Sequence, residues 1–468
     1  MCFLIKVQIS IVILVAFLNN SLCELEAQDD VIVSLPGLDF DIKFEHYSGY
    51  LNVSPTRRLH YWFVESQSNP ANDPLLFWFN GGPGCSSLFG LLGEIGPYLV
   101  NADGETLREN PHTWNKLANI VFVESPVGTG FSYSIDGNIT NSDDQSAEEA
   151  YEAIKEFLLK FPKFRTNQLF ITGESYAGVF IPVLAVRILR YQNDFHMNFK
   201  GVAIGNGLLA YDDDVPTNYP WHSTVINYAY SHGLVDEDLW QYLKNECCGG
   251  CTENCDFFKL QGKCGAKVKE AQWLMRSLPS AYNIYSRCPH RRYMLRQLDS
   301  VSPEKEIIIP SAHDNIDENG ECVPESALKN YLRKSSVRHA LNIPPEVESW
   351  DQCRLAQLWD HGYIHQYFNM TKFVLEIVNS NVPVLLFFGD TDLVCNFMLG
   401  EQFAANLGLK QTSSKHMWLH EGVPGGSKTE YGSHLTFITV LGAGHMAPRD
   451  RAPEMYQVIK RFISGTSI

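Results

Sequence analysis

Apolar and polar residues follow two rhythms along this chain. Between about residues 40 and 65 they nearly alternate, through Phe44, His46, Tyr50 and Leu51 and then Leu59, Tyr61, Trp62 and Val64, with Pro55, Arg57 and Arg58 between the runs. Such alternation predicts two antiparallel strands around a turn. Further on, short apolar runs at 74–79, 119–123, 169–171, 199–204, 384–390 and 435–440 are too short for helices and predict buried strands. Residues 147–161 instead carry apolar positions at helical spacing, with Ser146 placed to cap the start,. Residues 179–184 and 453–463 read as further helices,. Strands alternating with helices predict a mostly parallel sheet covered on both faces.

Between about 208 and 340 this rhythm breaks. The stretch is too long for a simple crossover and holds Cys247, Cys248, Cys251, Cys255, Cys264, Cys288 and Cys322. It reads as an inserted cap at 208–340, dividing a core of 24–207 and 341–468. Residues 1–23 read as a secretory signal: Lys6, the apolar stretch 7–17, and Ser21-Leu22-Cys23 before the cut,. That apolar stretch is shorter than the ~20 residues a membrane span requires, so the mature chain is expected without a span. A secretory route agrees with the sequons at Asn52, Asn138 and Asn369,. It also favours disulfides over a redox or zinc reading of Cys248-Gly249-Gly250-Cys251. A net charge of −16 and a pI near 5.4 exclude nucleic acid as a partner, since its phosphates would be repelled.

Candidate chemistry sits where strands end. Gly173-Glu174-Ser175-Tyr176-Ala177-Gly178 joins an apolar run to a helical one, the setting that exposes a serine hydroxyl on a tight elbow,. Asp392 and His445 follow later runs, so the order Ser, Asp, His matches α/β-hydrolases. Ser175 would be nucleophile, His445 the base and then the acid, and Asp392 the orienting carboxylate. Asp390, two residues away, competes for that last role. In Asn80-Gly81-Gly82-Pro83-Gly84-Cys85-Ser86-Ser87 the glycines suit a turn, and no P-loop lysine follows,. In a hydrolase this loop gives one oxyanion-hole N–H, here Gly82, beside that of Tyr176. The predicted fold is therefore an α/β-hydrolase with a mostly parallel central sheet and a disulfide-stapled cap.

Five strings in order closely resemble the serine carboxypeptidase family: 80–87, Glu124-Ser125-Pro126-Val127-Gly128, 173–178, Gly389-Asp390-Thr391-Asp392 and Gly442-Ala443-Gly444-His445-Met446. Residues 392–397 and the double cysteine 247–248 look more like its cathepsin A branch than its plant branches. The resemblance implies Asp392 over Asp390, no metal or cofactor, and a peptide substrate with a free C-terminus. It assigns that carboxylate to Asn80, the Gly81 N–H, Glu94 and Glu174. Two glutamates beside an anion cannot both stay ionised, so a shared proton and an acid optimum are expected. Met446 would line the leaving-residue pocket, with Phe89 and Gly93 nearby. The family's disulfides would be Cys85–Cys353, Cys247–Cys264, Cys248 with Cys255 or Cys251, and Cys288–Cys322, with Cys395 left over. Cys251 is a departure that leaves the local pairing open. The branch also implies activation by a cut in the cap, a homodimer, and a protective complex with lysosomal glycosidases. Localisation would be the secretory pathway, ending in the lysosome or outside the cell. An esterase or acyltransferase on the same triad is the rival chemistry.

Overall fold

The computed structural model describes residues 27–210, 223–252, 255–276, 278, 280–286, 288, 322–354 and 362–468. The signal-like residues 1–23 lie outside these. An eleven-stranded sheet organises the chain. Its strands are β1 (His46–Asn52), β2 (Arg57–Val64), β3 (Leu75–Phe79), β4 (Asn119–Val123), β5 (Leu169–Glu174), β6 (Phe199–Gly205), β7 (Val384–Gly389), β8 (Gln411–His420), β9 (Val423–Tyr431) and β10 (Leu435–Val440), with Tyr133–Ser134 beside β2. The spatial order is β1-β2-β4-β3-β5-β6-β7-β10-β9-β8. From β4 to β10 neighbours run parallel, and the outer pairs are antiparallel. The alternating 40–65 segment and the continuous apolar runs thus take the two strand types expected of them.

Side chains leave each strand alternately to its two faces, and both faces are buried. In β3, Leu75, Phe77 and Phe79 join one apolar cluster while Leu76 and Trp78 join the other. The first face is covered by α1 (Asp143–Lys160), α2 (Ala177–Arg190) and α3 (Thr371–Asn379). α1 starts earlier than its apolar rhythm indicates. Ser142, in an extended conformation, caps it by accepting from Gln145 N–H, and Asp143 and Asp144 occupy the first turn, where carboxylates offset the helix dipole. Ser146 lies inside the helix, bonded to Asn141 Oδ1 at 3.0 Å.

The described residues of 208–340 divide between two clusters. Helical residues from Ser223–Ser231 through Gly262–Arg276 bury a separate core around Ile226, Tyr228, Leu243 and Phe257. Helices Glu325–Arg333 and Ser335–Ala340 instead pack into the second face of the sheet through Ala327, Tyr331, Leu332 and Val337. Disulfides join Cys85–Cys353, Cys247–Cys264, Cys248–Cys255 and Cys288–Cys322, while Cys251 is exposed and free and Cys395 buried and free. Asn52, Asn138 and Asn369 are all exposed. No helix among the described residues is long and apolar enough to cross a membrane.

Phe157 on α1 sits at the centre of the first face, its ring 5.0 Å from Phe63, 5.4 Å from Phe77 and 4.7 Å from Phe161. Phe157→Ala is expected to lower stability by about 3–5 kcal/mol, read as a lower denaturation midpoint. A change below about 1 kcal/mol would show that this face tolerates the cavity.

Candidate active site

The parallel strands end at one edge, and the reactive candidates lie on the loops that leave it. β5 ends at Glu174 and α2 begins at Ala177, which forces Ser175 to φ 63°. A left-handed serine costs about 1–3 kcal/mol and persists only where its surroundings fix it. Its N–H donates to Gly205 O at 3.0 Å, and its carbonyl accepts from Gly178 and Leu208, both at 2.9 Å. Gly81 backs onto this elbow. A Cβ there would stand 2.4 Å from Tyr176 N and 2.7 Å from Ser175 Cβ, so only glycine brings the 80–85 backbone so close. The Gly82 and Tyr176 amides therefore belong to two loops that meet beside Ser175.

The loop after β7 separates the two acid candidates. His445 Nδ1–H donates to Asp392 Oδ2 at 2.6 Å, and both side chains are buried. Asp392 is held further by Asn206 Nδ2 (2.9 Å) and the N–H groups of Cys395 (3.1 Å) and Val394 (2.8 Å). Asp390 instead accepts from Gly442 N–H at 2.6 Å, tying the acid loop to the histidine loop. Burial holds the Asp390 carboxyl above the usual carboxylate range.

Asn80 joins the two glutamates. Its Nδ2 donates to Glu174 Oε1 at 2.9 Å and Glu94 Oε1 at 3.4 Å, while its Oδ1 accepts from Trp78 Nε1 and Gly90 N–H. Glu94 and Glu174 are both buried. Burial pushes Glu94 up to about 7, against the opposing pull of Arg449, Asn80 and His445. Burial and then the charge of Glu94 raise Glu174 well above the carboxylate range. Each leaves Oε2 buried with no donor among the described residues, which a proton held between the carboxyls would satisfy. Met446 is buried beside His445, with Phe89 on the helix Leu88–Gly93 that precedes Glu94. No group of three metal-ligating side chains occurs among the described residues.

Three features escaped the sequence reading. Asn206, at φ 38°, links Asp392 to β7 by also accepting from Gly389 N–H at 2.9 Å. Its Gly205-Asn206-Gly207 setting was the available signal. Tyr176 OH donates to Asp143 Oδ1 at 2.7 Å and lies 2.6 Å from His365 Nδ1, contacts separated too far in sequence to read. Residues 281–284 bond to both loops of the catalytic candidates: Ile284 N–H donates to Thr391 O, Leu393 N–H to Ala281 O, and His445 N–H to Tyr282 O at 2.7 Å.

Comparison with known proteins shows the family. Residues 36–465 match the sequence profile of the serine carboxypeptidase family. The mouse lysosomal protective protein is 38% identical over 94% of this chain and 95% of its own. Serine carboxypeptidase ctsa-4.1 of Caenorhabditis elegans is 37% identical, over 97% of each chain. The crystal structure of Kex1, a prohormone-processing carboxypeptidase of Saccharomyces cerevisiae, shares the fold at a TM-score of 0.71 and 21% identity, covering 94% of this chain and 96% of that one. The chain belongs to the serine carboxypeptidase family and is a serine-type carboxypeptidase.

The raised glutamates set a sign for stability. As pH rises from 4.5, the ordinary value, towards about 7 for Glu94, the unfolded chain releases these protons and the folded chain keeps them. Stability therefore falls across that window, by roughly 1.4 kcal/mol per pH unit for each such group. The double variant Glu94→Gln/Glu174→Gln is expected to flatten the slope, its gain over the parent growing from nothing below pH 4.5 to several kcal/mol at pH 7. Chemical denaturation at the two pH values checks this, and parallel profiles would contradict it.

Proposed function

We propose that this serine carboxypeptidase releases C-terminal residues from peptides at acid pH, with Ser175, His445 and Asp392 as its triad. The bond between His445 and Asp392, together with a serine held at φ 63° on its strand-to-helix elbow, is the observation that carries the reading. Ser175 Oγ attacks the last peptide carbonyl as His445 Nε2 takes its proton. The carbonyl oxygen becomes an oxyanion received by the Gly82 and Tyr176 N–H groups. His445 then gives the proton to the departing amine, and the C–N bond breaks to leave an acyl-enzyme and a free amino acid. Water, deprotonated by His445, attacks the ester and restores the serine. Asp392 holds the imidazole with Nδ1 protonated and stabilises its cation.

Asn80 Nδ2, the Gly81 N–H and the protonated Glu94/Glu174 pair would receive the substrate's terminal carboxylate. A neutral ester or amide has no use for such a site, which supports a peptidase over an esterase or acyltransferase. Once the pair ionises it repels the substrate, so binding weakens as pH rises through about 7,. The core at 24–207 and 341–468, the cap at 208–340, and routing to the lysosome or outside the cell complete the reading. Four disulfides and three exposed sequons support that route,. A protective complex with glycosidases is a partner hypothesis, motivated by the name of the mouse relative.

The test is release from an N-blocked dipeptide with a free C-terminus against its C-terminal amide, from pH 4 to 8, with protein both intact and nicked in the cap. Free-carboxylate turnover is expected to prevail, with KM rising as pH passes about 7. Ser175→Ala should lower kcat by about four to six orders of magnitude. Equal turnover of the amide, or of an ester, with no acid preference would favour the rival esterase. Co-purification of a glycosidase with Ser175→Ala would separate binding from catalysis.

A further inference from the structure

Glu124-Ser125-Pro126-Val127-Gly128 has no part in the chemistry described so far. Glu124 follows the last residue of β4 and is fully buried. Its carboxylate meets four groups. Oε1 accepts from Ser86 Oγ and from Trp350 Nε1, the latter at 2.8 Å. Oε2 accepts from Phe131 N–H at 2.8 Å and stands 2.9 Å from His60 Nδ1 on β2. Gly130 lets the chain wrap this closely: it sits at φ 54°, and a Cβ there would fall 1.7 Å from Oε1, so only glycine fits.

The carboxylate grips the loop that carries Gly82. Ser86 and Ser87 end the glycine-rich string 80–87 and reach consecutive residues at the end of β4. Ser87 Oγ donates to Val123 O at 2.6 Å and accepts from Asn80 N–H at 3.1 Å. Ser86 Oγ donates to Glu124, while Ser86 N–H donates to Gln352 O at 2.8 Å. The segment around Gln352 is tied to the loop twice more, by the Cys85–Cys353 disulfide and by Arg354 N–H donating to Gly84 O at 3.0 Å. Trp350 belongs to that segment, so one carboxylate holds both the loop and its covalent partner. Asn80 is fixed instead by Ser87, Trp78, Gly90 and Glu174. Gly82, at φ 115°, has no side chain to orient its own amide, which these anchors must aim.

We infer that Glu124 is a positioning residue for the oxyanion hole: through Ser86 and Trp350 it aims the Gly82 N–H at the substrate's carbonyl oxygen. The inference rests on the carboxypeptidase reading above. The surroundings call for a carboxylate rather than an amide. Three donors and an imidazole surround two oxygens, and glutamine would turn one of those acceptors into a donor. An amide aimed in advance needs no reorganisation as negative charge develops on the carbonyl oxygen. The effect of Glu124 therefore falls on the transition state more than on substrate binding.

The experiment measures kcat, KM and inhibition by an N-blocked amino aldehyde and by leucine, for the parent, Ser86→Ala, Glu124→Gln and the double variant. Ser175 Oγ adds to the aldehyde carbonyl and its proton passes to His445, which leaves the aldehyde oxygen in the oxyanion hole. Leucine, a leaving residue, meets the carboxylate site at Asn80 and not the oxyanion hole. Glu124→Gln should weaken aldehyde binding and lower kcat by about tenfold to a hundredfold. Ser86→Ala should act in the same direction, and the double variant should be no worse than Glu124→Gln, since both act on one anchor. KM and leucine inhibition should stay within about threefold of the parent. Inhibition constants report folded enzyme, so partial unfolding does not move them, and Ser86→Ala decides alone where Glu124→Gln fails to fold. Aldehyde binding unmoved in the folded variants overturns this inference alone. So does equal weakening of aldehyde and leucine, or additive losses in the double variant. A parent enzyme that releases no C-terminal residue overturns the carboxypeptidase reading as well.

Discussion

The site depends on the parallel register of five adjacent strands. Phe79 lies opposite Gly173, Gly205 opposite Phe387, and Gly389 opposite Val440, so the loops leaving β3, β5, β6, β7 and β10 emerge at one edge. Ser175, Asn206, Asp392 and His445 leave the same edge although they are scattered over 270 residues of sequence, because the ladder holds their starting points together. A slip of one residue in any strand would turn its side chains to the other face and part the loops.

Around that edge the protein buries charge that water would otherwise solvate. Two carboxyls, a guanidinium and an imidazole–carboxylate pair lie within a few loops of one another, almost wholly covered. Such a cluster is tolerated when each member has a proton, a counter-charge or fixed hydrogen bonds. Asn80 shows how tightly these are allotted: its amide donates to both glutamates while its oxygen holds Trp78 and Gly90. The low dielectric that makes the cluster costly also strengthens its hold on a charged ligand.

Much of this was legible in the chain because it is local. The strand runs, the serine elbow and the glycines at 81–84 are short patterns with their own physical reasons. Asp392 against Asp390 was harder. Both follow the same strand, and their division of labour depends on which side chain the histidine loop approaches. What stayed hidden is long-range. Asp143 beneath Tyr176, and residues 281–284 woven between the acid and histidine loops, join parts of the chain that no periodicity connects. The start of α1 lies earlier for a related reason: Ser142 caps through its side-chain oxygen from an extended backbone, which an apolar rhythm does not register.

The bond between Cys288 and Cys322 gives this weaving a mechanical meaning. All the peptide bonds between those residues lie inside one closed covalent ring. A protease cutting once within the ring leaves two polypeptides that cannot drift apart. The amino-terminal piece carries Ser175 and the strap at 281–284, and the carboxy-terminal piece carries Asp392 and His445. The strap's backbone bonds to Thr391, Leu393 and His445 cross from one piece to the other. Such a scission alters the number of chains without altering which atoms are neighbours at the edge of the sheet.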